Sequence, residues 1–430
     1  ESDADAFIAG HASNAVSVAL GLARARTLRK DDQTVIALLG DGALTGGLAY
    51  EGLNDAGESG EPLIVILNDN GMSISRNVGG IARHLARIRL KPSYFGLKKA
   101  YRRFTSAVPG GRHLYRFTHR LKQGLKTFLF DSTMFEEMGF TYLGPVDGHD
   151  VSKLCYLLAL ARDMACPVLL HVTTKKGKGY YPAEQDPNRF HGIGPFDPDT
   201  GEACSAGGET FSSAFGAELT ALAREDGNLC AVSAAMIPGT GLSPFASSFP
   251  ARCFDVGIAE GHAVTMAGGL AKGGMLPVVA IYSTFLQRAY DMLIHDISLL
   301  KLHVVFAVDR AGLVGEDGET HQGAFDVSYL RSVPGMTILC PATTDELRSM
   351  LRAALYEFSG PVALRYPRGG DGGKLPELPP CDAPEVTIVS YGILAHEAAA
   401  AVSMLEKSGV RADLIRLTCI APLDLTSVLD

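Results

Sequence analysis

Two stretches of sequence decide the fold: residues 34–42, Thr-Val-Ile-Ala-Leu-Leu-Gly-Asp-Gly, and residues 63–72, Leu-Ile-Val-Ile-Leu-Asn-Asp-Asn-Gly-Met. In each stretch a short run rich in β-branched residues (Thr34 to Leu39, Leu63 to Leu67) leads into a turn of Gly, Asp or Asn. This pattern is typical of strands that lie in a parallel sheet and are buried on both faces. Leu44 to Ala56, between the strands, is long enough for the crossover helix that a parallel pair requires.

This arrangement brings two polar residues together. Because right-handed βαβ geometry places both strand ends at one edge of the sheet, we expect Asp41 and Asn70 to converge. Their oxygen atoms suit Mg²⁺, which takes its remaining ligands from water and substrate phosphates. Taken alone, Gly-Asp-Gly could also be a plain turn. A helix start near Leu44 and several glycines favour a diphosphate beside the ion: Gly40, Gly42, Gly46 and Gly47.

The composition limits the class of protein. The chain has 430 residues, which predicts two or three domains, and a net charge of −8, which argues against a dedicated nucleic-acid binder. The eight cysteines show no metal-binding spacing, and no signal peptide or long apolar run occurs. We therefore expect a soluble cytoplasmic protein with reduced thiols. The chain opens at Glu1 and stops at Asp430 soon after a predicted strand, so we expect both ends to be cut from a longer protein.

Breaks in composition predict the domain layout. Residues 1–181 form a first α/β domain, whose N-terminal part we expect to be missing, and residues 182–208 form a linker rich in Pro and Gly. Residues 209–371 form a second α/β domain, and residues 385–430 begin a third. A basic insert at about 76–130 lies in the first domain, in a stretch from 71 to 130 without Asp or Glu. We interpret it as a solvated, mobile excursion near an anion site, and nucleic-acid or acidic-membrane binding is the alternative.

Further candidate residues lie near predicted element ends. Gly10, His11 and Ser13 precede a helix predicted from Asn14 to Arg26, where they could contact an anion, although Ser13 could equally be a plain helix cap. The predicted strand Pro167 to Thr173 runs into a loop that suits a phosphate but could be merely solvated; its lysines are Lys175, Lys176 and Lys178.

The second domain repeats the pattern of charge after strands. Glu260 follows the predicted strand Cys253 to Gly257 and precedes a helix of small residues, Ala263 to Lys272. It could be a helix cap or a catalytic carboxylate. Polar and charged runs also follow the strands predicted from Pro277 to Tyr282 and from His303 to Val308. A ligand of an open α/β sheet would lie there.

Five motifs carry a resemblance to a known family. They are Leu67-Asn-Asp-Asn-Gly-Met-Ser-Ile-Ser, Gly144-Pro-Val-Asp-Gly-His-Asp, Ile281-Tyr-Ser-Thr-Phe-Leu-Gln-Arg-Ala-Tyr-Asp, Asp309-Arg-Ala-Gly-Leu-Val-Gly and Arg365-Tyr-Pro-Arg-Gly. In this order they resemble the transketolase-like thiamine diphosphate enzymes, and within that group the 1-deoxy-D-xylulose-5-phosphate synthase family. The resemblance implies an α/β fold with two successive thiamine-diphosphate-binding parallel-sheet domains and the start of a third. It also implies a homodimer.

The same resemblance implies an activity. The family is a group of transferases that condense pyruvate, with loss of CO₂, and glyceraldehyde 3-phosphate through an enamine of thiamine diphosphate. The product, 1-deoxy-D-xylulose 5-phosphate, feeds isoprenoid synthesis by the non-mevalonate route and also thiamine and pyridoxal synthesis. The cofactors implied are thiamine diphosphate and Mg²⁺.

Site residues follow from the motifs. The resemblance implies that Asp41, Asn70 and the Met72 carbonyl bind Mg²⁺, that Lys176 binds the diphosphate, and that Glu260 and Phe285 contact the pyrimidine. Glu260 and His321 are the implied catalytic residues, His321 as a proton shuttle at neutral pH. Other implied cofactor contacts are Gly10, His11, Ser13, Gly40, Gly42, Ala43 and Ile74. Implied substrate contacts are His191, Tyr282, Arg288, Arg310, Asp317, His321 and Arg368, of which Arg310 and Arg368 grip the phosphate.

Departures from the family pattern leave alternatives open. Gly261 stands where the family usually has Gln, Gly71 where it has Glu, and Met236-Ile-Pro-Gly-Thr-Gly where it has a charged Arg-Glu turn. The family's N-terminal segment, with histidines that reach the site, has no counterpart in this chain. One alternative is another transketolase-like enzyme, and the other is a degenerate paralogue that binds the cofactor without catalysis. Arg365 could also take the role assigned to Arg368.

Overall fold

The computed structural model of the chain describes residues 2, 4–7, 9–72, 79–90, 133–204, 208–378 and 381–424. Two compact units account for them. The first comprises residues 1–194 and 198–201, and the second comprises residues 195–197 and 202–430. Among the described residues, no helix has both the length and the apolar character needed to span a membrane.

The first unit is built on a four-stranded parallel sheet with strand order β1-β2-β4-β3. Its strands are β1 (Ile36–Gly40), β2 (Ile64–Asp69), β3 (Thr141–Asp147) and β4 (Val168–Thr173). Its helices are α1 (Ala15–Arg29), α2 (Gly47–Ser59), α3 (Gly79–Leu90), α4 (Met134–Glu137), α5 (Val151–Asp163) and α6 (Tyr181–Gln185). The predicted βαβ unit is therefore confirmed, with β1 and β2 paired in parallel and joined through α2.

Three predictions for this unit are wrong in detail. β1 is buried on one face only: Ala37 and Leu39 are buried, whereas Ile36 and Leu38, on the other face, are 46% and 65% exposed. The helix does not start near Leu44, since a 3₁₀ turn (Asp41–Thr45) intervenes before α2. Within the basic insert, α3 is an ordered helix rather than an excursion, because it buries Leu85 and Ile88 in the core. The rest of the insert lies outside the described residues.

The second unit contains a seven-stranded sheet with strand order β13-β9-β10-β8-β7-β5-β6. Its strands are β5 (Leu229–Ser233), β6 (Cys253–Asp255), β7 (Leu276–Tyr282), β8 (Val305–Asp309), β9 (Thr337–Leu339), β10 (Val362–Arg365) and, at the far end of the chain, β13 (Cys419–Ala421). β5 to β10 pair in parallel. Buried runs such as Val278–Ile281 explain why these strands read as continuously hydrophobic.

Helices cover this sheet. They are α7 (Phe211–Glu225), α8 (Ser243–Ser248), α9 (Glu260–Lys272), α10 (Ser283–Leu286), α11 (Tyr290–Met292), α12 (Asp326–Leu330) and α13 (Thr344–Tyr356). The start of α7 is set by a capping box, in which Thr210 and Ser213 satisfy each other's backbone N–H groups. Two hydrophobic clusters of buried residues pack around the sheet.

The end of the chain adds a parallel pair, β11 (Val386–Tyr391) and β12 (Ala412–Leu417), joined by α14 (Leu394–Lys407). β13 then leaves this pair and joins β9 of the larger sheet in antiparallel orientation. Its residue Ile420 is buried in the hydrophobic core of that sheet. The segment predicted as a third domain is thus hydrogen-bonded to the second.

Candidate active site

The first group of predicted residues meets at the carboxyl ends of β1 and β2. Gly40 pairs with Asn68 in the sheet, so the turns that carry Asp41 and Asn70 are neighbours. The Gly71 N–H donates to Asp41 Oδ2 at 2.8 Å, which fixes the contact between the two turns. The predicted convergence of Asp41 and Asn70 is confirmed. A cavity of about 570 Å³ opens here, and α3 forms its other wall through residues such as Arg83.

The oxygen atoms at this cavity fit a magnesium ion. Asp41 is buried, and burial together with the hydrogen bond and the charge of Asp69 raises the pKa of Asp41 to about 7. A nearby divalent cation would relieve this cost of burying a carboxylate. Asn70 Oδ1 accepts the Met72 N–H at 2.9 Å and keeps a second lone pair for a ligand. The described residues contain no group of three His, Cys, Asp or Glu side chains arranged for a metal.

Ser13 lies just ahead of α1 but does not cap it, although a helix cap was one of the two alternatives for this residue. The cap of α1 is Asn14, and Ser13 Oγ instead donates to the Ala43 carbonyl at 2.7 Å. The plain-cap prediction for Ser13 is therefore wrong. Ser13, buried and with a positive φ of 77°, braces the turn that carries Asp41. Gly10 and His11 lie just before it, and Ile74 lies outside the described residues.

The lysine-rich loop after β4 is organised rather than merely solvated. Lys176 Nζ donates to His191 Nδ1 at 2.9 Å. Burial lowers the pKa of Lys176, and the charge of Asp41 opposes that shift, which places the ammonium within electrostatic reach of the Asp41 carboxylate. Lys175 instead pairs with Glu184, so only one of these two lysines is directed toward His191. Burial and the Lys176 charge lower the pKa of His191.

Backbone contacts hold this loop in place. Glu184 also accepts the Gly179 N–H at 2.9 Å, and His149 Nε2 accepts the Lys175 N–H at 3.0 Å. His149 belongs to the Gly-Pro-Val-Asp-Gly-His-Asp motif, so that motif positions the loop that carries Lys176.

The second group of predicted residues lies in the second unit, around Glu260. Glu260 is the first residue of α9, just after β6, and its side chain is 5% exposed. The helix-cap alternative is not borne out, since the cap residue is Ala259. Arg288 Nη1 lies 3.6 Å from Glu260 Oε2. Burial raises the pKa of Glu260, although its own backbone N–H and Arg288 counteract the shift.

Aromatic rings also pack together at the carboxyl end of β7. Phe285 packs edge-on against His321 with ring centroids 5.4 Å apart, and it stacks on Tyr282 at 5.9 Å. His321 also shares a hydrogen bond of 2.8 Å with the Thr320 hydroxyl. The structure thus brings Phe285, His321 and Tyr282 together as one aromatic wall.

Two arginines converge on one carboxylate beyond that wall. Asp317 Oδ2 accepts from Arg310 at 2.6 Å, and Asp317 Oδ1 accepts from Arg368 at 2.5 Å. Arg310 also lies over the Tyr282 ring, 3.8 Å from its centroid. Arg368, Arg310 and Asp317 therefore form one cluster at the ends of β8 and β10.

Arg365 is committed elsewhere, so the alternative that it replaces Arg368 is wrong. Its guanidinium makes two hydrogen bonds to Asp326, of 3.0 and 3.2 Å. The side chains of Arg365 and Asp326 are 10% and 1% exposed, which makes this pair part of the core. The neighbouring position Arg368 is half-exposed and faces Asp317.

Sequence reasoning missed the residues behind the turn that carries Asn70. Asp69, directly before Asn70, is buried and contacts His171, a buried residue on the neighbouring strand β4. An acidic residue inside Asn-Asp-Asn and a histidine inside a hydrophobic strand were the signals available.

Comparisons with known proteins show the family of the chain. The family model described as 1-deoxy-D-xylulose-5-phosphate synthase matches residues 1–174. The synthase of that name from Clostridium kluyveri is 48% identical over 434 residues, which span 99% of this chain and 69% of the relative. The chain belongs to the 1-deoxy-D-xylulose-5-phosphate synthase family.

Other matches cover the remaining parts of this synthase-family chain. The transketolase pyrimidine-binding domain model matches residues 209–370, and the transketolase C-terminal domain model matches residues 378–430. The Symbiobacterium thermophilum synthase is 50% identical over 436 residues, covering 99% of this chain and 67% of that protein. Among solved structures, Campylobacter jejuni transketolase is 18% identical, with a TM-score of 0.47 and coverage of 97% of this chain and 71% of that one.

The departures from the synthase family pattern have local explanations. At Gly71 the backbone N–H contacts Asp41, and φ is positive at 75°, so the functional group there is the main chain. At Gly261 an added Cβ would lie 3.0 Å from Met292 Cε, so Met292 fills part of the space beside this position. In the turn that starts at Met236, a Cβ on Gly239 would overlap the Tyr282 hydroxyl at 1.7 Å.

Proposed function

We propose that the two groups of residues described above bind and use thiamine diphosphate and Mg²⁺ in the reaction of the synthase family. That reaction is a transfer in which pyruvate, with loss of CO₂, and glyceraldehyde 3-phosphate give 1-deoxy-D-xylulose 5-phosphate for isoprenoid synthesis. The cofactor supplies the carbon nucleophile and the electron sink that the decarboxylation needs. The observation that carries the proposal is a buried carboxyl group, Glu260, at the start of a helix and 3.6 Å from an arginine.

Glu260 would act as the proton relay to the pyrimidine ring. Burial raises the pKa of Glu260, which makes the protonated form, able to donate a hydrogen bond to a ring nitrogen, more accessible than in an exposed carboxyl group. Arg288, at 3.6 Å, keeps the carboxylate form accessible, so the group can alternate between the two states. Phe285 offers a ring face for stacking, and its position is set by Tyr282 and His321.

The first unit would hold the diphosphate end of the cofactor. Asp41, Asn70 and the Met72 carbonyl supply three hard oxygen ligands for Mg²⁺. Lys176, whose ammonium group interacts electrostatically with Asp41, would neutralise the charge on a diphosphate oxygen. Ser13 supports the Asp41 turn through the Ala43 carbonyl.

Substrate recognition would fall to the polar residues around these positions. Arg310 and Arg368 both donate to one carboxylate, Asp317, and the same pair of guanidinium groups could instead bind the oxygen atoms of a phosphate. His191 in the first unit, and Tyr282, Arg288 and His321 in the second, would contact the substrates, with His321 as the candidate proton shuttle.

The test follows product formation by the full chain. Supplied with thiamine diphosphate, Mg²⁺, pyruvate and glyceraldehyde 3-phosphate, the chain should form deoxyxylulose phosphate, detected by mass spectrometry. Glu260→Gln should reduce the rate by about 10²- to 10⁴-fold, the usual contribution of general acid–base catalysis. His262→Gln is the matched control, because His262 is exposed on the same helix two residues later.

Three outcomes would count against the proposal. If Glu260→Gln retained the full rate, the proton-relay role would be wrong. If the unchanged chain bound the cofactor but formed no product, the chain would be a degenerate paralogue that binds the cofactor without catalysis. Product formed only from pentose phosphates would indicate another transketolase-like reaction.

We also propose that the chain forms a homodimer and works in the cytoplasm. The eight cysteines are all free thiols, as expected for a reducing compartment. Light scattering on the purified chain would measure the assembly, and a monomeric mass at working concentration would reject the dimer.

A further inference from the structure

A buried chain of hydrogen bonds stands behind the proposed metal turn. Tyr142 on β3 contacts His171 on β4, with its hydroxyl 2.7 Å from His171 Nδ1. His171 Nε2 lies 3.0 Å from Asp69 Oδ2 at the end of β2. Both His171 and Asp69 are fully buried at their side chains. This series of hydrogen bonds therefore crosses three neighbouring strands, β3, β4 and β2, and ends beside Asp41.

The direction of these hydrogen bonds follows from the chemistry of the groups. Burial and the charge of Asp69 raise the pKa of Tyr142, so its hydroxyl keeps its proton and can donate. If Tyr142 donates to His171 Nδ1, then the neutral imidazole carries its proton on Nε2 and donates to Asp69. One consistent arrangement thus runs from Tyr142 through His171 to the carboxylate.

Asp69 is held at both of its oxygen atoms. Oδ2 faces His171, and Oδ1 accepts the Gly71 N–H at 3.1 Å. The same N–H donates to Asp41 Oδ2, and the two carboxyl groups also share a hydrogen bond. Movement of Asp69 would therefore move Asp41 and the Gly71 backbone, which lies between Asn70 and Met72.

We propose that His171, supported by Tyr142, is a positioning residue that fixes Asp69 and through it sets Asp41 and the Asn70–Met72 turn for Mg²⁺. This inference rests on the proposed metal-binding role of Asp41 and Asn70. Asp69, held back by two donors, stays behind the ion and leaves Asp41 and Asn70 as the ligands. Residues that orient metal ligands in this way typically change metal affinity by about 10- to 100-fold when removed.

The experiment measures Mg²⁺ binding rather than turnover. Isothermal titration of the full chain with MgCl₂, at fixed thiamine diphosphate, gives the Mg²⁺ dissociation constant. His171→Leu should raise that constant by about 10- to 100-fold, and His171→Gln, which keeps an N–H donor at similar reach, should recover most of the loss. Tyr142→Phe removes one hydroxyl and should raise it by about two- to tenfold.

A control separates positioning from general stability. His303 also makes half-buried hydrogen bonds, to the Gly360 and Leu355 carbonyls, but it lies in the second unit. His303→Leu should lower the unfolding temperature without changing the Mg²⁺ constant. If His171→Leu likewise lowered only the unfolding temperature, the proposal would be overturned. If that variant did not fold, an unchanged Mg²⁺ constant in Tyr142→Phe would overturn it as well.

Asp41→Ala distinguishes this inference from the proposed function beneath it. Loss of Mg²⁺ binding in Asp41→Ala with wild-type binding in His171→Leu would reject the positioning role alone. Unchanged binding in Asp41→Ala would reject the metal site itself.

Discussion

Replacing Arg368 with Gln should weaken recognition of the phosphorylated acceptor. A hydrogen bond to a charged group contributes about 1.5–3 kcal/mol. Arg368 is 37% exposed and its partner Asp317 13%, so solvent screening reduces this contribution. We therefore expect a loss of about 1–2 kcal/mol, which corresponds to about five- to thirtyfold in kcat/KM for glyceraldehyde 3-phosphate.

The assay compares two acceptors at saturating pyruvate. Glyceraldehyde 3-phosphate should show the full loss, whereas unphosphorylated glyceraldehyde should react with Arg368→Gln and wild type at similar rates. Arg352→Gln is the matched control, because Arg352 forms an exposed ion pair with Glu225 at 3.7 Å in the same unit. Equal losses for both acceptors, or the same loss in Arg352→Gln, would refute the assignment of Arg368 to the phosphate.

Four further predictions concern stability and metal binding. Arg365→Met should destabilise the fold by about 3–5 kcal/mol in urea unfolding, because it leaves the buried Asp326 carboxylate unpaired, and adding Asp326→Leu should recover much of the loss. Burial and Asp69 raise the pKa of Asp41 to about 7, so protons compete with Mg²⁺ and the measured Mg²⁺ affinity should rise as the pH increases through 7; a flat profile would contradict this. The same raised pKa means that the metal-free folded chain binds this proton more tightly than the unfolded chain, so its stability should fall as the pH rises from about 4 to about 7. Gly216→Ala should cost about 1–3 kcal/mol by thermal or urea unfolding, since the added Cβ would lie 1.8 Å from the Gly241 carbonyl oxygen, and Gly269→Ala, with open space around it, should not.

Local sequence patterns predicted the elements well where burial and spacing act together. The strands predicted from Pro167 to Thr173 and from Pro277 to Tyr282 are observed as β4 and β7, with each end within one residue, because turn residues flank a clear hydrophobic pattern. Burial of β1 on both faces was predicted wrongly, since a hydrophobic run does not reveal whether both faces of a strand are covered.

For the candidate site, residues carried by strand ends were found, and partners from distant strands were not. Asp41 and Asn70 follow consecutive strands, so topology alone brings them together. His171 contacts Asp69 across 102 positions of sequence, and only the order of strands in the sheet makes them neighbours. Arg365 and Arg368 lie in one motif and could not be told apart by sequence. The buried Asp326 that pairs with Arg365 lies in α12, about forty positions earlier in the chain.

β13 also limits how this architecture can be recombined. Its three residues complete the edge of a sheet that otherwise belongs to residues 209–370, and the Cys340 N–H donates to the Thr418 carbonyl at 2.8 Å. A crossover placed in the Pro/Gly-rich segment between residues 372 and 384 would exchange this strand along with the domain that follows. A chimaera of two homologues joined there would have to match a foreign strand to β9 and refill the core position of Ile420. The C-terminal segment therefore has to stay matched to the sheet that β13 joins, and it cannot be exchanged as an independent module.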